Sequence, residues 1–157
     1  MSRDFHFGKI LQEKRLQLGL SEEYCAEMSG LNISCHYDVE TYGDEFFDNI
    51  SLGTARRLCR ILNISIMDAI KGYLSPVEVV SRSCSDAQFY SRNDLIMNAR
   101  LAKKMSEEQL GDAGGVEEYV ILGLEWSPDY IESMVIMDIV DIAAALELDV
   151  GLLICDR

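Results

Sequence analysis

The sequence predicts an all-α fold in two helical subdomains of the same plan, and three observations carry that reading. Residues 20–40 and 105–125 match at an offset of 85, where Ser21/Ser106, Glu22/Glu107, Glu23/Glu108, Gly30/Gly115 and Glu40/Glu125 are identical. Just upstream, Arg15/Arg100 and Leu16/Leu101 coincide in the same register. In each copy a Ser precedes acidic residues and a Gly closes the segment, which are the start and stop signals of a short helix. An apolar content of 48% over 157 residues supports folded cores. A repeat over that length gives subdomains of about 65 residues, near the lower size limit for an independent core. We therefore divide the chain into a first subdomain over 1–71, a connector over 72–91 and a second subdomain over 92–157. Each subdomain holds about five helices, and the connector is short and helical.

The elements follow in order. The first helix is expected from Phe7 to Leu18, with Ile10, Leu11 and Leu16 facing inward and Gly19 as its stop. A second runs from Glu22 to Ser29, and a third from Ile33 to Tyr42 with Asn32 as its cap. The stretch GDEFFDNI reads as a loop whose Phe46 and Phe47 cover the core. Ser51 caps a helix from Leu52 to Leu62, Asn63 closes it in place of a glycine, and Ser65 caps a short helix from Ile66 to Lys71. In the connector, Ser75-Pro76-Val77-Glu78 forms a capping box with Pro at the first helical position, so a helix to about Cys84 is expected. The second copy repeats the plan over 94–104, 107–113, 117–124, 134–146 and 150–154, with Ser106 and Gln109 as a capping box. Trp126, Pro128 and Tyr130 form its inter-helix loop, and Trp126 is read as core cover.

Two short helices joined at once by a glycine turn form a helix-turn-helix. On these residues the chain resembles the Xre or lambda-repressor-like helix-turn-helix family. The matching positions are Arg15, Leu20, Ser21, Ala26, Gly30, Leu31, Val39 and Glu40 in the first copy. In the second they are Arg100, Met105, Ser106, Gly111, Gly115, Val116, Leu124 and Glu125. The resemblance spans roughly residues 5–71 and 92–155, so it implies two lambda-repressor-like subdomains. It also implies partly buried ion pairs, Arg15 with Glu40 and Arg100 with Glu125, tying the first helix of each copy to the third. Such a pair adds little net stability, but losing one member strands a charge at a cost of roughly 3–5 kcal/mol.

In the resembled family the start and outward face of the third helix enter the DNA major groove. Here those positions are Asn32, Ile33, Ser34, Tyr37 and Asp38 in one copy and Glu117, Glu118, Tyr119, Leu122 and Gly123 in the other. Neither set contains Arg or Lys, so the bidentate contact to guanine is absent from both. Glu22 and Glu107 stand where the family often places Gln against a phosphate; a carboxylate there suits the helix dipole but repels a polyanion. Arg56, Arg57 and Arg60 are the candidate phosphate contacts that would let the first copy read DNA.

Charge points the same way. The net charge is −13, of which −3 falls on residues 1–72 and −10 on the rest. Duplex-binding modules present a basic face, because phosphate contacts supply most non-specific affinity. Five cysteines without a C-x-x-C give neither a disulfide framework nor a zinc signature. Cys25, Cys35, Cys59 and His36 align with apolar residues of the second copy and are read as buried, and no metal or cofactor is expected. No apolar run is long enough for a membrane span or signal core, which makes the cytoplasm the default compartment. No phosphate loop, serine elbow or metal spacing points to an enzyme. The expectation is a non-enzymatic regulator that binds a protein partner, one of basic character, in the manner of an antitoxin, immunity, DNA-mimic or co-regulator protein. The alternative is a sequence-specific repressor reading DNA through the first copy, with a pseudo-dimer or homodimer as its assembly.

Overall fold

A computed structural model describes residues 6–73 and 91–154. Their regular structure is helical, and the chain divides into two compact units at the Pro76/Val77 junction. The connector helix expected over 75–84 lies outside the described residues.

The first unit contains α1 (Phe7–Gln17), α2 (Glu22–Ser29), α3 (Ile33–Thr41), α4 (Glu45–Asp48), α5 (Leu52–Ile61) and α6 (Ile66–Tyr73). His6 caps α1 through Nδ1, which accepts from the Lys9 amide at 3.0 Å, while its Nε2 sits 3.0 Å from the Thr41 carbonyl at the end of α3. The inward stripe of α1 is Phe7, Gly8, Leu11 and Arg15, at the 3–4 residue spacing of one helix face. Ile10 and Leu16 were expected to face inward but lie on the flanks of that stripe, and Leu16 is 63% exposed. Gly8 lets α1 and α3 touch backbone to backbone: a Cβ there would stand 2.6 Å from the carbonyl oxygens of Val39 and Glu40.

Ser21 caps α2 by accepting from the Tyr24 amide at 3.1 Å, and Gly30 ends it at φ 84°, a left-handed conformation that side chains resist. Asn32 caps α3, its Oδ1 accepting from the Cys35 amide at 2.8 Å. The segment expected as a plain loop contains the one-turn α4. Adjacent Phe46 and Phe47 are both fully buried, and a helical turn lets neighbouring side chains share one broad face. They pack with Phe7 at centroid distances of 4.7 and 5.4 Å, and Phe47 stacks on Tyr73 at 4.0 Å. Ser51 Oγ accepts from the Thr54 amide at the start of α5, and Asn63 takes the left-handed conformation after it, at φ 53°. Ser65 Oγ accepts from the Asp68 amide, and α6 extends to Tyr73 rather than Lys71.

The second unit contains α7 (Arg92–Ala102), α8 (Glu107–Gly114), α9 (Glu118–Trp126), a 3-10 turn (Tyr130–Ser133), α10 (Ile136–Ala145) and α11 (Val150–Ile154). Ser106 and Gln109 form the capping box of α8, with both bonds present at 2.9 and 3.1 Å. Gly115 ends α8 at φ 70°. Helix α8 packs on α9 and α10, and α7 packs on α9. The core is aliphatic, built from Ile96, Leu110, Ile121, Leu124, Ile139, Ile142 and Leu153 among others. Among the described residues no aromatic cluster recurs here. Positions 85 on from Phe7 and Phe47 hold Arg92 and Glu132, which pair at 2.7 Å.

Candidate functional site

Each unit is braced by a buried guanidinium. Arg15 binds both carboxylate oxygens of Glu40, Nε at 2.7 Å and a terminal nitrogen at 3.0 Å. It also donates to the Leu20 carbonyl at 3.0 Å and to Glu22 at 3.4 Å. Arg100 makes the corresponding set, to Glu125 at 2.5 and 3.0 Å, the Met105 carbonyl at 2.8 Å and Glu107 at 3.0 Å. One side chain thereby fixes the helix bearing it, the turn that follows, the start of the next helix and the end of the third. The hydrogen bonds to Glu40 and Glu125 raise the two arginine pKa values further above their ordinary range, so both stay charged.

Against the first brace lies His36, fully buried. Its Nε2 is 3.5 Å from Glu40 Oε1, and neither ring nitrogen makes a hydrogen bond among the described residues. Burial lowers its pKa, opposed by the Glu40 carboxylate and assisted by the Arg15 charge. Cys25, also buried there, is pushed up by burial. Cys35 was expected to be buried and is instead exposed, one residue before His36 on the outward side of α3. Among the described residues, no group of three or more His, Cys, Asp or Glu is arranged to hold a metal ion. None of their helices is long and apolar enough to cross a membrane.

Locked from behind, α3 and α9 turn the predicted reading positions outward. On α3, Asn32, Ile33 and Ser34 are exposed, Tyr37 is 55% exposed and Asp38 is half-buried. On α9, Glu117, Glu118, Tyr119 and Leu122 are exposed and Gly123 is half-buried. Glu117 takes the N-cap position of α9 without a capping hydrogen bond.

The three candidate phosphate contacts do not form one ridge. Arg56 falls with Leu52, Ala55 and Cys59 on the inward stripe of α5 and is only 7% exposed, which removes it from the surface the sequence assigned to it. Arg57 is exposed, but its guanidinium donates to the Ser29 carbonyl at 2.9 Å and to Thr54 Oγ1 at 3.1 Å, clasping the end of α2. Arg60 is exposed.

The most exposed large apolar side chain among the described residues is not the one the sequence points to. Trp126 was read as core cover but is 83% exposed at the end of α9. It stands seven residues after Tyr119 and four after Leu122, so the three share one helix face, whereas Ile121, Leu124 and Glu125 face the core. That spacing was visible in the sequence; the loop-like WSPDY beside it concealed that the helix runs on to residue 126. Gly123 borders the stripe, and the ring of Tyr130 lies where its Cβ would be, at 2.5 Å.

Beside the stripe, the turn between α8 and α9 opens a cleft of about 620 Å³. Its walls include Glu108, Asp112, Glu117, Glu118 and Asp138, with Tyr119 at the edge shared with the stripe, and among the described residues no Lys or Arg lines it. Burial, then the neighbouring Asp141, raises the Asp138 pKa. Comparison with family models, curated proteins and solved structures finds no match for this chain.

Proposed function

We propose that this protein is a non-enzymatic regulator built on two degenerate copies of a helix-turn-helix scaffold, acting by binding a protein partner of basic character. The reading would place it with antitoxin, immunity, DNA-mimic or co-regulator proteins. One observation carries it: α2, α3, α8 and α9, the helices that would face DNA, hold ten carboxylates and not one Lys or Arg. Glu40 and Glu125 are neutralised by their arginines. The rest leave a surface that repels phosphate and attracts cationic side chains. Scaffold and reader have thus diverged, with both braces kept and the cationic contacts absent.

A second reading, a repressor using the first copy, draws on exposed Arg57 and Arg60 beside polar Asn32 and Ser34. Affinity capture from the source cell, paired with selection from a random duplex library at about 0.15 M ionic strength, separates the two. A retained protein partner and no enriched duplex is the expected result. Enrichment of a specific duplex, with affinity falling steeply with salt and lost in the Arg57→Ala/Arg60→Ala variant, would establish the repressor instead.

A further inference from the structure

We propose that the outward face of α9, Tyr119–Leu122–Trp126 with the acidic cleft beside it, docks a cationic amphipathic helix of the partner protein. This deepens the protein-binding reading and rests on it.

The apolar component comes first. At 100° per residue, positions 119, 122 and 126 fall within about 60° of arc, a continuous stripe along the helix. Tyr119 is 66% exposed, Trp126 83%, and Leu122, which lies between them along the helix, 38%. Isolated surface apolar residues are ordinary. Two aromatics and a leucine aligned on one short helix are of the type that anchors interfaces, since Trp and Tyr supply large contact areas with little rotamer entropy to lose. Among the described residues of the second unit the core does not use this stripe, because Ile121, Leu124 and the Arg100–Glu125 brace already fix the opposite face.

Charge selects the occupant. Glu108, Asp112, Glu117, Glu118 and Asp138 line the cleft next to Tyr119, with no compensating cation in its walls among the described residues. Residues 73–157 carry −10 of the net −13. A second copy of this chain would bring acidic rim against acidic rim, and a nucleic acid would bring phosphates against it; both are repelled. Lysines or arginines flanking an aliphatic helix face meet the rim with their charges and the stripe with their apolar side. Arg and Lys also stack favourably over exposed Trp and Tyr rings.

Trp126 is the only tryptophan in the chain, so its emission reports this face directly. The probe is a synthetic helical peptide of about 14 residues, Leu on one face and Lys on the other, compared with a scrambled isomer of identical composition. Expected are a saturable blue shift with the amphipathic peptide and affinity about ten-fold or more weaker for the isomer. Anisotropy of the labelled peptide should weaken about ten-fold or more in Trp126→Ala and in Leu122→Asp, both surface changes, and stay unchanged in Tyr37→Asp on α3. Loss in Tyr37→Asp with α9 variants unaffected would overturn this site and leave the protein-binding reading standing. Self-association that shifts Trp126 emission without peptide would overturn the occupant. Failure of the peptide to bind, with a specific duplex bound instead, would overturn both this site and the proposed function.

Discussion

His36 and Ile121 occupy the same place in two similar helices, 85 residues apart, and both are fully buried. The imidazole sits against Glu40 and Arg15 with Glu22 and Cys25 nearby, and burial holds it neutral by lowering its pKa from the ordinary value of about 6.5. The unfolded chain therefore takes up a proton before the folded one does. The stability that neutral His36 allows is present above the unfolded pKa and is lost as pH falls from there through the depressed folded value. We expect His36→Ile, which installs the side chain found at Ile121, to fold and to flatten this acid dependence. Urea denaturation of both proteins at pH 7.5 and 5.5 should show the variant gaining relative to the parent at the lower pH. An equal pH response in the two proteins would show that His36 is not the titrating group. Trp126 shows the opposite limit of residue-level inference: its chemistry favours burial, and its position on the helix puts it in solvent.

Helix ends follow sequence signals closely, because caps and glycines act over one turn. Ser21, Asn32, Ser51 and Ser106 all cap as their types require, and α2 and α11 have the limits read from the sequence. Helix faces were less legible. The stripe of α1 passes through Arg15, a charged residue in a core register, so apolar Ile10 and Leu16 misdirected the phase. Arg56 misled in the same way on α5. Three helix ends hold a left-handed residue with a side chain, Asn63 at φ 53° and Lys104 and Glu147 at φ 56°. Gly19 closes α1 at φ 67°, whereas Lys104, its counterpart after α7, holds φ 56° with a side chain. A left-handed residue with a Cβ costs about 1–2 kcal/mol, partly offset by the entropy a glycine loses on folding. Lys104→Gly should therefore stabilise the protein by about 0.5–1 kcal/mol, read as a higher urea midpoint at unchanged slope. A lower midpoint would mean that the lysine side chain compensates for its own strain.

At the scale of the whole chain, charge dominates. A net charge of −13 on 157 residues, with a pI near 4.4, stores self-repulsion in the compact state. The brace ion pairs are buried, with Arg15 and Arg100 each only 5% exposed, so salt screens the surface carboxylates more than these pairs. Raising NaCl from about 0.02 to 0.5 M should raise the thermal midpoint by a few degrees, as followed by circular dichroism. A falling midpoint would place the dominant electrostatic contribution in exposed ion pairs instead. The same surplus of carboxylates governs which partners approach, since it repels polyanions over a Debye length before any contact forms.

The helical class, the positions of the caps and glycine turns, and the acidic character of the outward helices were all present in the sequence, because they depend on residue type and near neighbours. The pairing of Arg15 with Glu40 and Arg100 with Glu125 was legible only through resemblance to a known pattern. The three-dimensional arrangement alone decided that Arg56 is buried, that Cys35 and Trp126 are exposed, and that Arg92 and Glu132 stand where Phe7 and Phe47 pack in the other unit. Those outcomes depend on which side of a helix meets its neighbours, and that phase is set by packing across the whole unit, where a charged residue can hold a core position once a partner satisfies it.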